Sequence, residues 1–269
     1  MTTAVAAPFR FFSLHVVRTR RLSPSLVRVT FAGEDLEYFF SDGRDQSLSL
    51  FLPHPGQSEP AVPIELGDGW WQGWRELPDG VRAVMRSYTL RALRGDPAEI
   101  DIDFVLHTPA GPASAWASRA AAGDRVVLLG PAVADNRAIR FRPPQDTDLV
   151  VLWGDESALP AIASILTSLP AGQRVRAWLE VRDAGNVQEL ATSADAGITW
   201  VVGESSVDAL REAPLPPTAH PYVWIAGESG RVKALRRHFV QERGVDRRRV
   251  TFVGYWRQGM SEEQLREAE

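Results

Sequence analysis

The chain changes its hydrophobic pattern once, near residue 147, and this change limits the folds that it can adopt. Before that point, short segments alternate apolar and polar residues, as in "EIDIDFVLH" at residues 99–107, with Gly and Pro between them. Such period-two segments predict an antiparallel barrel or sandwich. After it, compact apolar strands such as "DLVVLW" at 148–153 alternate with helical stretches such as "ESALPAIASILTSLP" at 156–170. This alternation predicts a parallel, doubly wound sheet of about five strands.

The two patterns predict two domains, at residues 1–143 and 147–269. The stretch "RPPQDTD" at 142–148 reads as the linker between them. One helix is expected inside the first half, in "GPASAWASRAAAG" at 111–123, because proline in a first turn and glycine beyond a last turn punctuate helices.

The composition excludes several kinds of chemistry. There are no cysteines, which removes disulfides, thiol catalysis and cysteine-ligated zinc or iron–sulfur clusters. The five histidines are scattered without HExxH spacing, so we expect no metal site in the chain. A net charge of -4 argues against a general preference for nucleic acid. No apolar run approaches ~18 residues, so we expect no membrane insertion and a cytoplasmic location.

Two arginines flank an aromatic and a hydroxyl residue in "RSYTLR" at residues 86–91, in a stretch that reads as a strand. Arg86 and Arg91 can bind phosphate through charge-assisted hydrogen bonds. Tyr88 offers a flat aromatic face, and Thr89 offers a hydroxyl that donates or accepts. Phosphate, ring and heteroatom together describe a flavin nucleotide. An edge strand with solvated arginines is the alternative.

The motif resembles the Arg-x-Tyr-Thr/Ser sequence of ferredoxin-reductase-like flavoproteins, and most of all that of the siderophore-interacting protein family. Further segments resemble this family in the same order along the chain: "HTPAGPASAWA" at 107–117, "GDESALPAI" at 154–162, "AGES" at 226–229 and "GYWRQG" at 254–259. The resemblance implies an N-terminal antiparallel β-barrel that binds FAD, followed by a five-stranded parallel α/β domain that binds NAD(P)H.

The resemblance also implies roles for residues at the flavin. Arg86 would hold phosphate, Tyr88 would stack on the isoalloxazine or ribityl region, and Thr89 would approach the redox-active nitrogen. Tyr88 and Thr89 are therefore the predicted catalytic contacts. Arg91 would be a further cofactor contact unless it pairs with an aspartate of the next strand.

The segment at 107–117 is the predicted diphosphate site. Its small residues allow close approach of the backbone, and helix amides near Ala113 and Ser114 carry partial positive charge. His107 and Gly111 complete the predicted turn. Thr108 stands where a glycine is common in the family.

The predicted NAD(P)H contacts are Gly154, Ser157, Ala158 and Glu228. The segment at 154–162 follows a strand and opens a helix, but it lacks the GxGxxG pattern. Its two acidic residues must point away from any phosphate or cap the helix. The large side chain of Trp153 either restricts the cofactor or covers the flavin.

The choice of coenzyme depends on the end of the second parallel strand, "LEVRD" at 179–183. There Glu180 would suit a ribose hydroxyl and Arg182 would suit a 2′-phosphate. The resemblance favours NADPH over NADH.

Four basic residues are candidates for a rim that binds an anionic ferric chelate: Lys233, Arg247, Arg249 and Arg257. A solvated, helix-terminal cluster is the alternative interpretation of the three consecutive arginines at 247–249.

Together these features predict an FAD-dependent ferric-siderophore reductase, in which NAD(P)H reduces FAD and electrons pass to siderophore-bound Fe(III). No protein ligand to iron is needed, because the siderophore supplies the ligands. One alternative is a reductase that serves a ferredoxin or an oxygenase component, although the acidic balance disfavours an acidic ferredoxin. The other is a siderophore-binding iron-delivery protein with a vestigial flavin site.

Overall fold

A computed structural model describes residues 8–203, 206–260 and 264. The chain divides into two compact units, residues 1–139 and 140–269. Each unit contains one β-sheet. Within the described ranges, no helix is long and apolar enough to cross a bilayer.

The first unit is built on a seven-stranded antiparallel sheet with the order β4-β3-β7-β1-β2-β6-β5. The predicted antiparallel architecture is therefore confirmed. Its strands and helices are β1 Phe9–Ser23, β2 Leu26–Ala32, β3 Ser47–Leu52, α1 Trp70–Glu76, β4 Val84–Thr89, β5 Ala92–Gly95, β6 Ala98–Val105, α2 Pro112–Arg119 and β7 Arg125–Pro131.

The sheet curls, so that β4 at one end approaches β6 near the other end. The rings of Tyr88 and Phe104 lie 4.4 Å apart between centroids. Just beyond β4, the backbone N–H of Arg91 donates to the carbonyl of Asp101 over 2.9 Å. The curl encloses a core formed by the apolar faces of the alternating strands, including Phe12, Phe31 and Leu50.

Strand β6 is buried on both faces. Its apolar face enters the core through Ile100, Ile102 and Phe104, as the sequence alternation predicts. The opposite face carries carboxylates that are also largely buried, and each is paired with at least one arginine. The pairs are Glu99 with Arg18 and Arg94, Asp101 with Arg94 and Thr30, and Asp103 with Arg28.

Two parts of this unit are not evident in the sequence pattern. Strand β1 is 15 residues long, and its exposed end pairs only with β2. Helix α1 lies in the segment between β3 and β4 and adds a second aromatic cluster. There Trp70 packs edge-to-face against Phe11 and Phe51, at 5.0 and 5.8 Å.

The second unit is a five-stranded parallel sheet with the order β10-β9-β8-β11-β12, as predicted. Between β9 and β10 the chain forms only a three-residue 3-10 turn, Ala184–Asn186, in place of a full helix. The strands and helices of the second unit are β8 Leu149–Gly154, α3 Leu159–Ser168, β9 Arg174–Val181, β10 Asp195–Val202, α4 Ser206–Glu212, β11 Pro221–Glu228, α5 Ser229–Arg237 and β12 Val250–Trp256.

Parallel pairing puts the carboxyl ends of all five strands at one edge of the sheet, the carboxyl edge, and their starts at the other, the amino edge. Gly154, Glu228 and Trp256 end their strands at the carboxyl edge. The chain runs from β8 to β9 and β10 on one side, and then places β11 and β12 on the other. The direction therefore reverses between β8 and β11, where ligands of such sheets bind.

Asp148 stabilises the amino edge. Its carboxylate accepts hydrogen bonds from the Thr218 hydroxyl at 2.5 Å and from the N–H groups of Ala219 and His220 at 2.8 and 3.1 Å. These donors favour the charged form and lower the Asp148 pKa to about 2, with the Thr218 bond contributing most.

We expect Asp148→Ala to lower the urea midpoint of unfolding at pH 7. Because the folded-state pKa is depressed, the stabilisation is present above the ordinary pKa of about 4 and is lost as the pH falls towards about 2. The difference in midpoint between the two proteins should therefore shrink over that range in fluorescence-monitored titrations. A difference that does not change with pH would contradict this role.

Candidate functional site

Strand β4 carries the predicted flavin motif at one end of the first sheet. Because it is an end strand, one of its edges has no strand neighbour among the described residues. Arg86 is half-buried, and its guanidinium donates to the Met85 carbonyl at 2.8 Å. Thr89, at the end of the strand, is only 8% exposed. The alternative of fully solvated side chains on this strand is therefore not what the structure shows.

Tyr88 is half-buried and packs on the aromatic core of the unit. Its ring lies against Phe104, and Phe104 lies 5.7 Å from Trp116 of helix α2. The rings of Trp116 and Phe31 stack in turn at 6.3 Å. A tyrosine supported in this way has few orientations available and can offer a fixed face to a ligand ring.

The turn before α2 is held by two hydrogen bonds of His107. Its backbone N–H donates to the Ser114 hydroxyl at 3.1 Å, and its Nδ1–H donates to the Pro109 carbonyl at 2.7 Å. The side chains of Ala113 and Ser114 are buried. Any contact that these two residues make with a phosphate must therefore come from their amides, while the exposed His107 orders the turn.

The start of α2 is open to an anion. Its N-cap residue, Gly111, has no side chain that bonds the first amides, and Pro112 at the first position has no N–H to satisfy. The helix packs against β2, β4 and β6, so it lies beside the strand that carries the flavin motif. An aromatic face, a guanidinium and uncapped helix amides are the groups that a flavin dinucleotide requires.

Arg91 contacts the ion pairs of strand β6. Its Nε is 4.0 Å from the Asp103 carboxylate, and its side chain is 21% exposed. Burial, and then the neighbouring Arg28, lowers the pKa of Arg91. Because Asp103 is bound more tightly by Arg28, at 2.7 Å, Arg91 is a secondary partner in this network. Its predicted cofactor contact stays a prediction.

In the second unit, the carboxylate of Asp155 lies where the sheet reverses direction. It is 7% exposed and follows β8 directly. Its Oδ1 accepts from the N–H and hydroxyl of Ser157, and its Oδ2 accepts from the Glu228 N–H and the Trp256 indole N–H, both at 2.8 Å. Burial raises the pKa of Asp155 against these donors. The carboxylate thus joins the ends of three strands.

The turn after β8 is closed internally. The N–H of Ser157 bonds Asp155 Oδ1, and the N–H of Ala158 bonds the Asp155 carbonyl at 3.0 Å. These two amides are therefore not aimed at a ligand, contrary to the expectation for this loop. Gly154 has a packing role, since a Cβ there would meet Ala158 and Ile162 at 2.7 Å.

Trp153 neither restricts a cofactor nor covers a flavin. It is 0% exposed in the core of the second unit, and its indole N–H donates to the Ser206 hydroxyl at 2.6 Å. Both interpretations of this residue from the sequence are wrong, because the side chain points into the sheet–helix core.

Both acidic residues of this turn are buried and bonded within the second unit. Glu156 is 6% exposed and turns towards the end of β9. Its carboxylate accepts from the backbone N–H and Nε of Arg182 at 2.9 Å and from the amide of Asn186 at 2.8 Å. It therefore fixes Arg182, whose side chain remains 55% exposed.

Glu180, the other candidate at the end of β9, is already bonded. Its side chain is 13% exposed, and it forms an ion pair with Arg231. It also accepts from the N–H and hydroxyl of Ser206 at 2.9 and 3.0 Å.

Glu228 is the N-cap of α5, where its side chain accepts from the Arg231 N–H at 2.9 Å. Its other oxygen lies 3.5 Å from the Gln258 N–H. It therefore orders the carboxyl edge, and a direct contact with NAD(P)H stays a prediction.

The structure does not bring the four predicted basic residues together. Arg247 and Arg249 precede β12 at the amino edge, whereas Arg257 follows β12 at the carboxyl edge. Arg249 also pairs with Asp146 at 2.6 Å. A single rim containing all four is therefore wrong. Lys233 and Arg257 are exposed on the α5 and β12 side of the carboxyl edge and remain candidates.

Sequence reasoning missed Asp155 and Ser229 as residues that organise this edge. The Ser229 hydroxyl donates to the Trp256 carbonyl at 2.9 Å. A signal was present in the glycines beside them. A Cβ at Gly227 would meet Asp155 Oδ2 at 2.5 Å, and one at Gly254 would meet the Ser229 hydroxyl at 2.5 Å.

Comparison with known proteins gives two family matches that follow the two units. Residues 15–135 match a siderophore-interacting FAD-binding domain, and residues 147–259 match a siderophore-interacting protein domain. FAD is therefore the cofactor of the first unit.

Similar proteins extend over nearly the whole chain. Ferric vibriobactin reductase ViuB of Vibrio cholerae is 30% identical over 94% of this chain and 92% of its own length. An NADPH-dependent ferric-chelate reductase of Escherichia coli is 33% identical over 92% and 93%. The crystal structure of the siderophore-interacting protein SipS from Aeromonas hydrophila superposes with a TM-score of 0.78 and 31% identity, over 97% of this chain and 96% of that one. The chain therefore belongs to the siderophore-interacting protein family.

Proposed function

We propose that this protein is a ferric-siderophore reductase that takes electrons from NAD(P)H through FAD and releases iron as Fe(II). The observation that carries the proposal is that helix α2, whose start has no side-chain cap, packs against β4, the strand that carries Arg86 and Tyr88. The activities named for the similar proteins from V. cholerae and E. coli support it.

FAD supplies the conversion of two-electron hydride chemistry into one-electron steps. The protein's own residues bind and orient it. The amides that begin α2 and the Arg86 guanidinium suit its phosphates, and the supported ring of Tyr88 suits a stacking contact. Thr89 is nearly buried at the end of β4, and we expect its hydroxyl to approach the flavin ring.

Iron is substrate in this reaction. Among the described residues, no group of three or more His, Asp or Glu side chains is arranged to hold a metal ion. The oxygen donors of a siderophore favour Fe(III), so reduction weakens the chelate and Fe(II) is released. Exposed Arg257 and Lys233 are suited to attract an anionic chelate. We place this reaction in the cytoplasm.

The activity is tested by anaerobic stopped-flow absorbance on the holoprotein. After reduction of the flavin by NADPH, a ferric siderophore should reoxidise it much faster than anaerobic buffer does, with Fe(II) trapped by a chelating dye. Reoxidation by a ferredoxin but not by ferric siderophores would instead support a protein acceptor. Purification without any flavin absorbance, and no uptake of added FAD, would support the vestigial-site alternative.

We expect Arg86→Ala to reduce flavin retention about tenfold or more, because a charge-assisted bond to phosphate is lost. The measurement is the ratio of absorbance at the flavin and protein maxima after desalting. Arg125→Ala is the matched control, since Arg125 forms an exposed ion pair with Glu59 at 3.4 Å in the same sheet. Normal flavin occupancy in Arg86→Ala would reject the phosphate role.

We further propose that NADPH is preferred over NADH. Glu180 is engaged by Arg231 and Ser206 and is poorly placed to accept from a ribose hydroxyl. Arg182 is held in place by Glu156 and presents an exposed guanidinium at the end of β9, where a 2′-phosphate is recognised in such folds.

Arg182→Ala should raise the apparent Kd of NADPH about tenfold or more in the flavin-reduction step, because a bond to a charged phosphate is lost. The apparent Kd of NADH should change less than about twofold. Arg174→Ala, at the amino edge of the same strand, serves as control. Equal effects on both coenzymes would contradict recognition of the 2′-phosphate.

A further inference from the structure

Three glycine-containing segments of the second unit lock together at the carboxyl edge. They are residues 154–157, 226–229 and 254–259, and each follows or ends a strand. The parallel sheet brings the ends of β8, β11 and β12 side by side. We call the hydrogen-bonded set formed by Asp155, Glu228, Ser229 and Trp256 the edge lock.

Trp256 is held at two separate points in this lock. Its indole N–H donates to Asp155 Oδ2 at 2.8 Å. Its backbone carbonyl accepts from the Ser229 hydroxyl at 2.9 Å. The residue is nevertheless 42% exposed, so part of its surface remains open to solvent. A side chain fixed at both its ring and its backbone offers that surface in one orientation.

Two glycines near the edge lock leave the space that these hydrogen bonds need. Gly227 has a φ of +140°, and a Cβ at this position would lie 2.5 Å from the Asp155 carboxylate. A Cβ at Gly254 would lie 2.5 Å from the Ser229 hydroxyl. Both glycines therefore make room for the two groups that hold Trp256, and a side chain at either would displace one anchor.

The lock lies where the sheet reverses direction. Asp155 follows β8 and bonds the N–H of Glu228, the last residue of β11, and the reversal falls between these strands. Nucleotides bind in the crevice at this point of doubly wound sheets. The bond to Asp155 therefore brings the partly exposed Trp256 next to this crevice.

We infer that Trp256 is a coenzyme-binding residue and that Asp155 and Ser229 are positioning residues that hold its ring against NAD(P)H. This inference rests on the proposed function in one respect, that NAD(P)H is the ligand at this edge. Asp155 and Ser229 act on the coenzyme through Trp256, so removing either anchor weakens coenzyme binding while the aromatic ring is still present.

The test uses the reductive half-reaction of the holoprotein, which contains no ferric chelate. Flavin reduction by NADPH is followed anaerobically over a range of coenzyme concentrations. Trp256→Phe keeps a ring but loses the N–H donor, and Ser229→Ala loses the carbonyl anchor. Each should raise the apparent Kd about threefold to tenfold, as expected for one hydrogen bond, with the limiting rate changed less than about twofold.

Two further variants separate positioning from general stability. Ser229→Thr keeps the hydroxyl and should bind coenzyme like the unmodified protein. Asp148→Ala removes an amino-edge carboxylate and should lower the urea midpoint without changing the apparent Kd. Should Trp256→Phe fail to fold, the comparison of Ser229→Ala with Ser229→Thr still decides the question.

An unchanged apparent Kd in both Trp256→Phe and Ser229→Ala would overturn the inference. An equal rise of the apparent Kd in Ser229→Thr and Ser229→Ala would also overturn it. The same holds if the variants change only the rate at which the ferric chelate reoxidises the flavin. If ferric siderophores fail to reoxidise the flavin of the unmodified protein, the proposed substrate is wrong, but the coenzyme measurements are unaffected.

Discussion

The parallel direction of five strands is the constraint on which the chemistry of the second unit depends. It sends every strand end to one edge, so residues far apart in sequence become neighbours there. Asp155, Glu228 and Trp256 come from different segments, yet one carboxylate binds both of the others. The same constraint sends Arg249 to the other edge, where it pairs with Asp146. Direction of the strands, more than distance along the chain, decides which side chains share a site.

The first unit brings its ligand-binding groups together in a different way, because the strands of an antiparallel sheet do not all end at the same edge. Here the curl of the sheet brings β4 against β6, and α2 packs on both. Tyr88 is thereby supported by Phe104, and α2 lies beside the strand that carries the flavin motif. The hydrophobic core thus supports both Tyr88, the proposed ring-binding group, and α2, whose first amides are the proposed phosphate-binding group.

Much of this arrangement could be predicted from the sequence, because alternating strands in the first half and compact apolar strands between helical stretches in the second are typical of the two kinds of sheet. The flavin motif and the segments at the carboxyl edge were also recognisable. The grouping of Arg247, Arg249 and Arg257 failed because strand β12 lies between them and sends them to opposite edges of the sheet. Side-chain partners were equally hidden: nothing in the pattern shows that Glu156 holds Arg182 or that Trp153 points into the core.

The doubly buried strand β6 has a consequence for how the first sheet finds its alignment. Its apolar and acidic residues alternate strictly, with Ile100, Ile102 and Phe104 on one side and three ion-paired carboxylates on the other. A shift of the pairing by one residue would turn those carboxylates into the hydrophobic core and leave the arginines without counter-ions. The ion pairs therefore add little stability in the correct alignment, but they strongly disfavour any pairing that is shifted by an odd number of residues.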